Sequence, residues 1–320
     1  MYQKVHIMFK LILHRLLLSI PLLFAVTFLT FFLNSLAPTD LARVILGADG
    51  TQAQYLELRA KLGLDQSLLA QYGDWVWRVL HGDLGVSYFT NERVLDLLNG
   101  RVGVTLSIMA GVLFVVVLVG VSLGVLSAIK GGWLGKLLDA VSLLGLVFPS
   151  FFVALVYIVV FAVWLQWFPA TGYTTLNQGF VPWAMSLVLP ILAVSTYFTS
   201  VVAKQTREAM SDVMRRDFIR ALRASGIPEW RVVLVHGLRN ASLPVVTNLG
   251  LIMVTATASA VFVERAFVLP GLGSLAVGAA DQADVQLMLG CTLYFALLSV
   301  AINLVVDLSY GFLNPKVRAD

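Results

Sequence analysis

Five stretches of the chain contain no Asp, Glu, Lys or Arg: Leu16–Thr39, Val102–Ile129, Ala140–Ala203, Asn240–Val263 and Val285–Val306. A bilayer core about 30 Å thick is crossed by about 20 apolar residues at about 1.5 Å of helical rise each. Four of the stretches suit one crossing apiece, whereas Ala140–Ala203 is long enough to cross, turn and return. The pattern predicts an all-α integral membrane protein with six spans, at roughly 12–36, 104–129, 138–167, 184–204, 242–264 and 286–311. Lys4, Lys10 and Arg15 precede the first stretch, as in a signal peptide. Its apolar run exceeds the about 7–15 residues of a signal core and no convincing small-residue cleavage site follows, so it reads as a retained span.

The polar segments set the orientation. Basic residues cluster before the first span (Lys4, Lys10, Arg15), after the second (Lys130, Lys136), between the fourth and fifth (Lys204, Arg207, Arg215, Arg216, Arg220, Arg223, Arg231, Arg239) and in the tail (Lys316, Arg318). Six spans put all four segments on one side, which the positive-inside rule makes cytoplasmic, with both termini inside. The segment Asp40–Arg101 carries six basic residues against eight acids, as suits the opposite face. Its aromatic residues Tyr55, Tyr72, Trp75, Trp77, Tyr88 and Phe89 stand among helix-forming runs, which predicts a small external cap of short helices. The expected organisation is a tail and first span over 1–36, an external helical region over 37–103, spans two to six over 104–311 with a cytoplasmic loop at 204–240, and a tail over 312–320.

Composition narrows the function. Hydrophobic residues make up 59% and charged ones 12%, about half the charged share of a soluble domain. The net charge of +4 is explained by retained basic loops, not by nucleic-acid binding. Cys291 is the single cysteine, so no intrachain disulfide forms, and the four His stand at no metal-ligand spacing. Cys291 with Met109, Met185, Met253 and Met288 could offer soft ligands, but scattered over several spans they read as packing. Phosphate-loop, H-E-x-x-H and G-x-S-x-G patterns are missing, so no catalytic residue is assigned and energy has to come from a partner. Pro21, Pro149, Pro190 and Pro244 lie in or at the ends of spans, where a lost backbone hydrogen bond favours a kink. Small residues in span two (Gly111, Gly120, Ser122, Gly124, Ser127, Ala128) and span five (Ala256, Ala258, Ser259, Ala260) suit close helix packing.

The segment between spans four and five is the most specific. Helix formers run from about Met210 to Ala224, Gly226 supplies a left-handed cap, Pro228 forces a turn, and a second helix starts at Glu229. Basic side chains alternate there with Phe218, Ile219, Leu222, Ile227 and Trp230. A loop that only sets topology needs neither these apolar positions nor the Gly–Pro break, whereas a docking surface for a soluble partner uses both. A basic amphipathic hairpin resting on anionic lipid is the plainer alternative.

Arg220-Ala-Leu-Arg-Ala-Ser-Gly226 resembles the EAA loop, E-A-A-x-x-x-G, of ATP-binding-cassette importer permeases: Ala221 and Gly226 match, while Arg220 and Leu222 depart from Glu and Ala. Leu238-Arg-Asn-Ala-Ser-Leu-Pro244 is similar to the variant of the peptide and nickel branch. Leu62-Gly-Leu-Asp65 with Gln71, Tyr72, Trp75 and His81-Gly-Asp-Leu-Gly-Val-Ser87 resembles the external region of dipeptide, oligopeptide, glutathione and nickel permeases. Phe267-Val-Leu-Pro-Gly-Leu-Gly273 is similar to their F-x-W-P-G-L-G element with Leu269 in place of Trp, and Asn303-Leu-Val-Val-Asp307 and Asn314-Pro-Lys-Val-Arg318 to their C-terminal signature.

The resemblance covers essentially the whole chain. It implies the type I importer permease (MetI-like) fold in a bacterial inner membrane, with no cofactor on this chain and ATP and Mg used by partner subunits. The implied partners are a second homologous permease, two cytoplasmic ATPases, an external substrate-binding protein and membrane lipid. Arg216, Asp217, Arg220, Ala221, Leu222, Arg223, Ala224 and Gly226 would form the ATPase-coupling loop. Arg216, Arg220 and Arg223 would give electrostatic contacts, and Ala221 and Ala224 close approach.

The cargo is left open between di- or oligopeptides and nickel or metal chelates. Ser107, Asn248, Thr255, Thr257 and Ser259 could line its path, with no metal ligands among them. Glu264 and Asp307, near span ends, read as anchors or structural pairs. A gradient-driven secondary transporter or a channel also suits six spans, but such proteins commonly show internal repeats or a buried ionisable relay, and neither is evident here. An intramembrane enzyme would need a catalytic pair at membrane depth, which is also missing.

Overall fold

The computed structural model describes residues 2–36, 41–47, 50–130, 133, 135, 137, 139–140, 142 and 145–313, the side chains of 2–11, 307 and 309–313 excepted. Among the described residues no β-strand forms, and the one isolated bridge pairs Val86 with Arg93 across a turn. Five helices are long and apolar enough to cross a bilayer: Ile12–Ser35, Val94–Ile129, Phe180–Met214, Glu229–Ala266 and Val285–Val306. They correspond to expected spans one, two, four, five and six.

Three of them overshoot their predicted limits, and the reason is the same each time. The charge-free run marks the hydrocarbon segment, but helical hydrogen bonding continues into polar sequence until something breaks it. The helix of span two begins at Val94, not 104. That of span four continues through Lys204 and Arg207 to Met214, and that of span five starts at Glu229, not 242. At 36 residues, Val94–Ile129 extends for about 54 Å, well past the hydrocarbon. Span three departs more. Residues 139–140 and 142 are helical, and the helix described without interruption is Ser150–Trp164, with Pro149 extended (ψ 146°) at its N-terminus and a turn over 145–147 before it. Proline lacks the N–H that an incoming helix needs and pushes its predecessor out of the α region, so an uninterrupted helix over 138–167 does not form. The earlier part of that expected span lies largely outside the described residues, as do Lys136 and the tail motif Asn314–Arg318. Pro21, Pro190 and Pro244 are carried inside continuous helices.

The chain divides into two compact units, 1–12 with 105–269 and 301–320, and 13–104 with 270–300. In the first, the helix of span two packs on that of span four through glycine. A Cβ on Gly120 would stand 3.1 Å from the Thr199 carbonyl, and one on Gly124 2.6 Å from the Ala203 carbonyl. Gly120 and Gly124 are therefore packing residues, as small-xxx-small faces generally are, whereas Ser122 is exposed. Thr257 is buried beside Met109, and Met253 also packs in the interior. Glu264 is fully buried and accepts a 2.7 Å hydrogen bond from the Thr105 hydroxyl, which marks it as a structural carboxyl.

In the second unit the short helices Leu41–Leu46, Gln52–Lys61 and Leu68–Leu80 follow the first span. Thr51 and Gln54 form a capping box at the start of the second of these, and Ser67 caps the third. Tyr72 anchors Leu68–Leu80 to the first span: its hydroxyl bonds the Phe24 carbonyl (3.0 Å) and the Thr27 hydroxyl (2.9 Å), and its ring meets Phe28 edge-on at 5.1 Å. Around Val94 and Leu98, the side chains of Leu272, Leu287 and Cys291 complete an apolar core. Asp284, fully buried, accepts from the Ser87 hydroxyl (2.6 Å) and from the Leu287 N–H, capping the last span's helix.

Candidate functional site: the basic hairpin and the polar face of span five

The segment after span four folds as a helix–turn–helix, with one change from expectation. Met210–Ala224 is not one helix. The long helix ends at Met214, Arg216 is extended (ψ 150°), and a separate two-turn helix runs Asp217–Ala224. Asp217 in its first turn and Arg223 in its last both oppose the helix dipole favourably. Gly226 then takes φ +77°, a left-handed conformation that L side chains rarely adopt. A Cβ there would meet nothing within 4 Å, so the requirement for glycine is one of backbone conformation and not of space. Pro228 begins the next helix, which runs through a π-helical stretch at Val232–Gly237 directly into span five. The second arm is therefore the root of a span, stiffly connected to the membrane segment.

The apolar residues of the hairpin separate into two groups. Ile219, fully buried, packs with Val125, Met210, Val213, Val232 and Val233, and Leu222 and Ile227 flank the same cluster. Burying an isoleucine side chain is worth about 1.5–3 kcal/mol, so this inner face fastens the short helix to its own unit. Phe218 (38% exposed) and Trp230 (58%) remain on the outside. Arg216, Asp217, Arg220, Ala221, Arg223, Ala224 and Gly226 are likewise exposed, so of the predicted coupling residues only Leu222 turns inward.

Charge pairs shape this outer surface. Arg223 donates to both carboxylate oxygens of Glu229, at 2.6 and 3.1 Å, closing the turn across Gly226 and Pro228. These bonds hold the Glu229 carboxyl below its ordinary range and raise Arg223. Arg220 pairs loosely with Asp217 at 3.3 Å, and Arg231 lies over the Trp230 ring at 5.1 Å. Opposite charges six residues apart across a Gly–Pro turn were the available signal for Glu229. Two further ties had no local signal: Arg207 forms an ion pair with Asp139, and Gln205 bridges spans four and five. The Gln205 amide donates to the Pro244 carbonyl (3.0 Å) and accepts from Asn248 (2.8 Å).

The predicted path residues do not all gather. Asn248, Thr255 and Ser259 lie seven and four residues apart on one face of the span-five helix, with Thr255 exposed and the other two half-buried. Thr257 points elsewhere, buried and donating to the Met253 carbonyl. Ser107 is half-buried in the helix of span two. Among the described residues no group of three or more His, Cys, Asp or Glu could hold a metal ion.

The sequence matches two family models: the binding-protein-dependent transport system inner membrane component over residues 120–319, and the N-terminal part of such membrane components over residues 8–109. The glutathione transport system permease protein GsiC of Escherichia coli O6:H1 is 36% identical over 313 residues, 97% of this chain and 99% of its own. A Brucella abortus protein named for a peptide transport system permease is 36% identical over 315 residues, 98% and 100% of the two chains. A Sinorhizobium fredii protein named for a peptide ABC transporter permease is 35% identical over 308 residues, 96% and 98%. A hairpin built between two membrane helices, on a scaffold matched end to end by such permeases, carries one conclusion: this chain belongs to the family of inner membrane components of binding-protein-dependent transport systems, as a permease subunit and not an enzyme.

Proposed function

We propose that this chain is one of two homologous pore subunits of an ATP-driven importer of short peptides, with the hairpin Arg216–Glu229 as the seat of a cytoplasmic ATPase. The hairpin carries the reading. It is pinned on one side by Ile219 and exposes arginines, Phe218 and Trp230 on the other, and its second arm runs without a break into span five. A push on the outer face is thereby transmitted to a membrane helix instead of being absorbed by a loop. Two ATPases closing on ATP and Mg would move two such hairpins together and rock the pore between inward- and outward-facing forms. An external binding protein would deliver the cargo.

In this reading residues 37–103 face outward, while 204–240 and both termini face the cytoplasm, and the distribution of basic residues supports it. Relatives named for peptides and for glutathione weigh towards a peptide cargo over nickel or a metal chelate. The helix face with Asn248, Thr255 and Ser259 offers the weakly polar wall such a zwitterion needs, and Ser107 is a further candidate. Thr257, turned into the packing, supports that wall without touching cargo.

The test is Gly226→Asp. A non-glycine residue at this φ costs on the order of 1 kcal/mol, and the new carboxylate adds a negative charge to a face whose exposed charges are mainly arginines. Vesicles containing the full importer should lose ATP-driven peptide uptake while membrane insertion stays normal, and Gly226→Asn should retain a larger part of the uptake. Undiminished uptake by Gly226→Asp removes the hairpin from the coupling path.

A further inference from the structure

The second unit contains a cavity of about 870 Å³ between the end of the first span's helix and the start of the last span's. Its walls come from the last turn of the first span (Phe31, Ser35), the helices after it (Lys61, Trp75, Arg78) and the first turn of the last span (Gln286, Leu289). The lining is graded. Phe31, Leu41 and Leu289 are apolar and belong to or adjoin membrane helices, whereas Lys61, Arg78 and Gln71 belong to the polar segment.

Charge and hydrogen bonding are left incomplete in this cavity. Of its cations, Arg59 is already committed to Asp65 at 2.8 Å and to the Tyr55 hydroxyl. Among the described residues the Lys61 and Arg78 side chains make no hydrogen bond or ion pair, and Asp74 is the only carboxylate on the wall. Two buried polar atoms of lining residues also lack a partner: the indole Nε1 of Trp75, a residue only 3% exposed, and Oε1 of Gln286. Gln286 spends its other amide atom on the Tyr88 hydroxyl at 3.1 Å. Its Oε1 and the Arg78 guanidinium both come within 3.6 Å of the point where a Cβ on Gly85 would lie, so they converge on one part of the site. A buried donor or acceptor left without a partner is unfavourable, and a ligand that supplies the partner recovers that loss.

We propose that this cavity binds the head group of a membrane phospholipid, a phosphodiester bearing a hydroxyl or ammonium donor. The phosphate oxygens accept from Arg78, Lys61 and the Trp75 indole. The head-group donor satisfies Gln286 Oε1. An acyl chain runs along Phe31 and Leu289 towards the hydrocarbon. This assignment uses the position of the cavity between the ends of two span helices and is independent of cargo and of ATPase coupling.

The experiment is native mass spectrometry of the full importer, delipidated in detergent and titrated with dioctanoyl phosphatidylglycerol, dioctanoyl phosphatidylcholine or inorganic phosphate. The wild type should retain one phosphatidylglycerol per copy of this chain in preference to phosphatidylcholine, which has no donor for Gln286. Millimolar inorganic phosphate should not displace it. Arg78→Gln should weaken retention about tenfold, the scale of one charge-assisted hydrogen bond. Lys61→Gln, at an exposed position that folding does not depend on, should weaken it several-fold. Equal retention of the two lipids together with no effect of Lys61→Gln overturns the proposal. So does displacement by inorganic phosphate, which marks a site for a free anion, and so does displacement by the external binding protein, which marks a protein contact.

Discussion

Glu229 shows how a single side chain can hold a turn that its neighbours only permit. Gly226 allows the left-handed step and Pro228 starts the next helix, but neither keeps the two arms together. The double hydrogen bond from Arg223 does, and both side chains are roughly half exposed, so its worth is below about 1 kcal/mol after screening. Its pH dependence has a definite sign. The folded hairpin lowers the Glu229 pKa beneath the ordinary 4.5, so the contribution is complete above that value and is lost as pH falls through the lower folded one. Amide exchange over 225–229, corrected for its intrinsic rate, should therefore quicken by no more than about fivefold between pH 6 and pH 3. In Glu229→Gln the corrected rate should already be raised at pH 6 and should then stay flat. A wild-type rate that is equally flat denies the pair its bracing role.

At the scale of elements, helix contacts in this protein are set by what is missing from a side chain. Gly120 and Gly124 let the span-two backbone reach the carbonyls of Thr199 and Ala203 on span four. Leu in place of Gly124 has no room, since even its Cβ would lie 2.5 Å from that of Thr206. Overpacking of this kind costs about 1–3 kcal/mol or more, so Gly124→Leu should lower the thermal unfolding midpoint in detergent. Gly100→Ala, where a Cβ meets nothing, should leave it unchanged or raise it slightly. If both variants unfold alike, the close approach is not what joins the two helices.

The same scale shows why the sequence was partly readable. Charge-free runs located five membrane helices, and Gly226 with Pro228 located the hairpin turn, because hydrocarbon thickness and left-handed backbone leave direct marks on residue type. Helix ends were misplaced at Val94, Met214 and Glu229 because hydrogen bonding does not stop at the membrane surface. The break at Arg216 carries no Gly or Pro to announce it. The ties Arg207–Asp139 and Gln205–Asn248 join residues 68 and 43 apart, beyond the reach of any local pattern. The inward turn of Ile219, Leu222 and Ile227 was equally hidden: a hairpin with apolar residues at those positions could have offered them to a partner, and only the fold decides that Val125, Met210 and Val233 take them.

For the whole molecule, everything functional depends on which side of the membrane the hairpin occupies. Eight basic residues between Lys204 and Arg239 oppose a mildly acidic Asp40–Arg101, an asymmetry from which the positive-inside rule predicts a cytoplasmic hairpin. A nucleotide-driven motor can reach the hairpin only from the cytoplasm, so sidedness and coupling stand or fall together. The chain is convenient for the measurement because Cys291, its single cysteine, is buried in the last span, and Cys291→Ser gives a cysteine-free background. Trp77 and Trp230 are both well exposed and can each be replaced by cysteine without disturbing a core. In intact spheroplasts a membrane-impermeant maleimide should label Trp77→Cys at once and Trp230→Cys only after permeabilisation. Adding the partner ATPase to inverted vesicles should then protect Trp230→Cys, because the indole is exposed beside Arg231 on the hairpin proposed as the ATPase seat. Labelling of Trp230→Cys in intact spheroplasts would place the hairpin outside, where no ATPase could act on it.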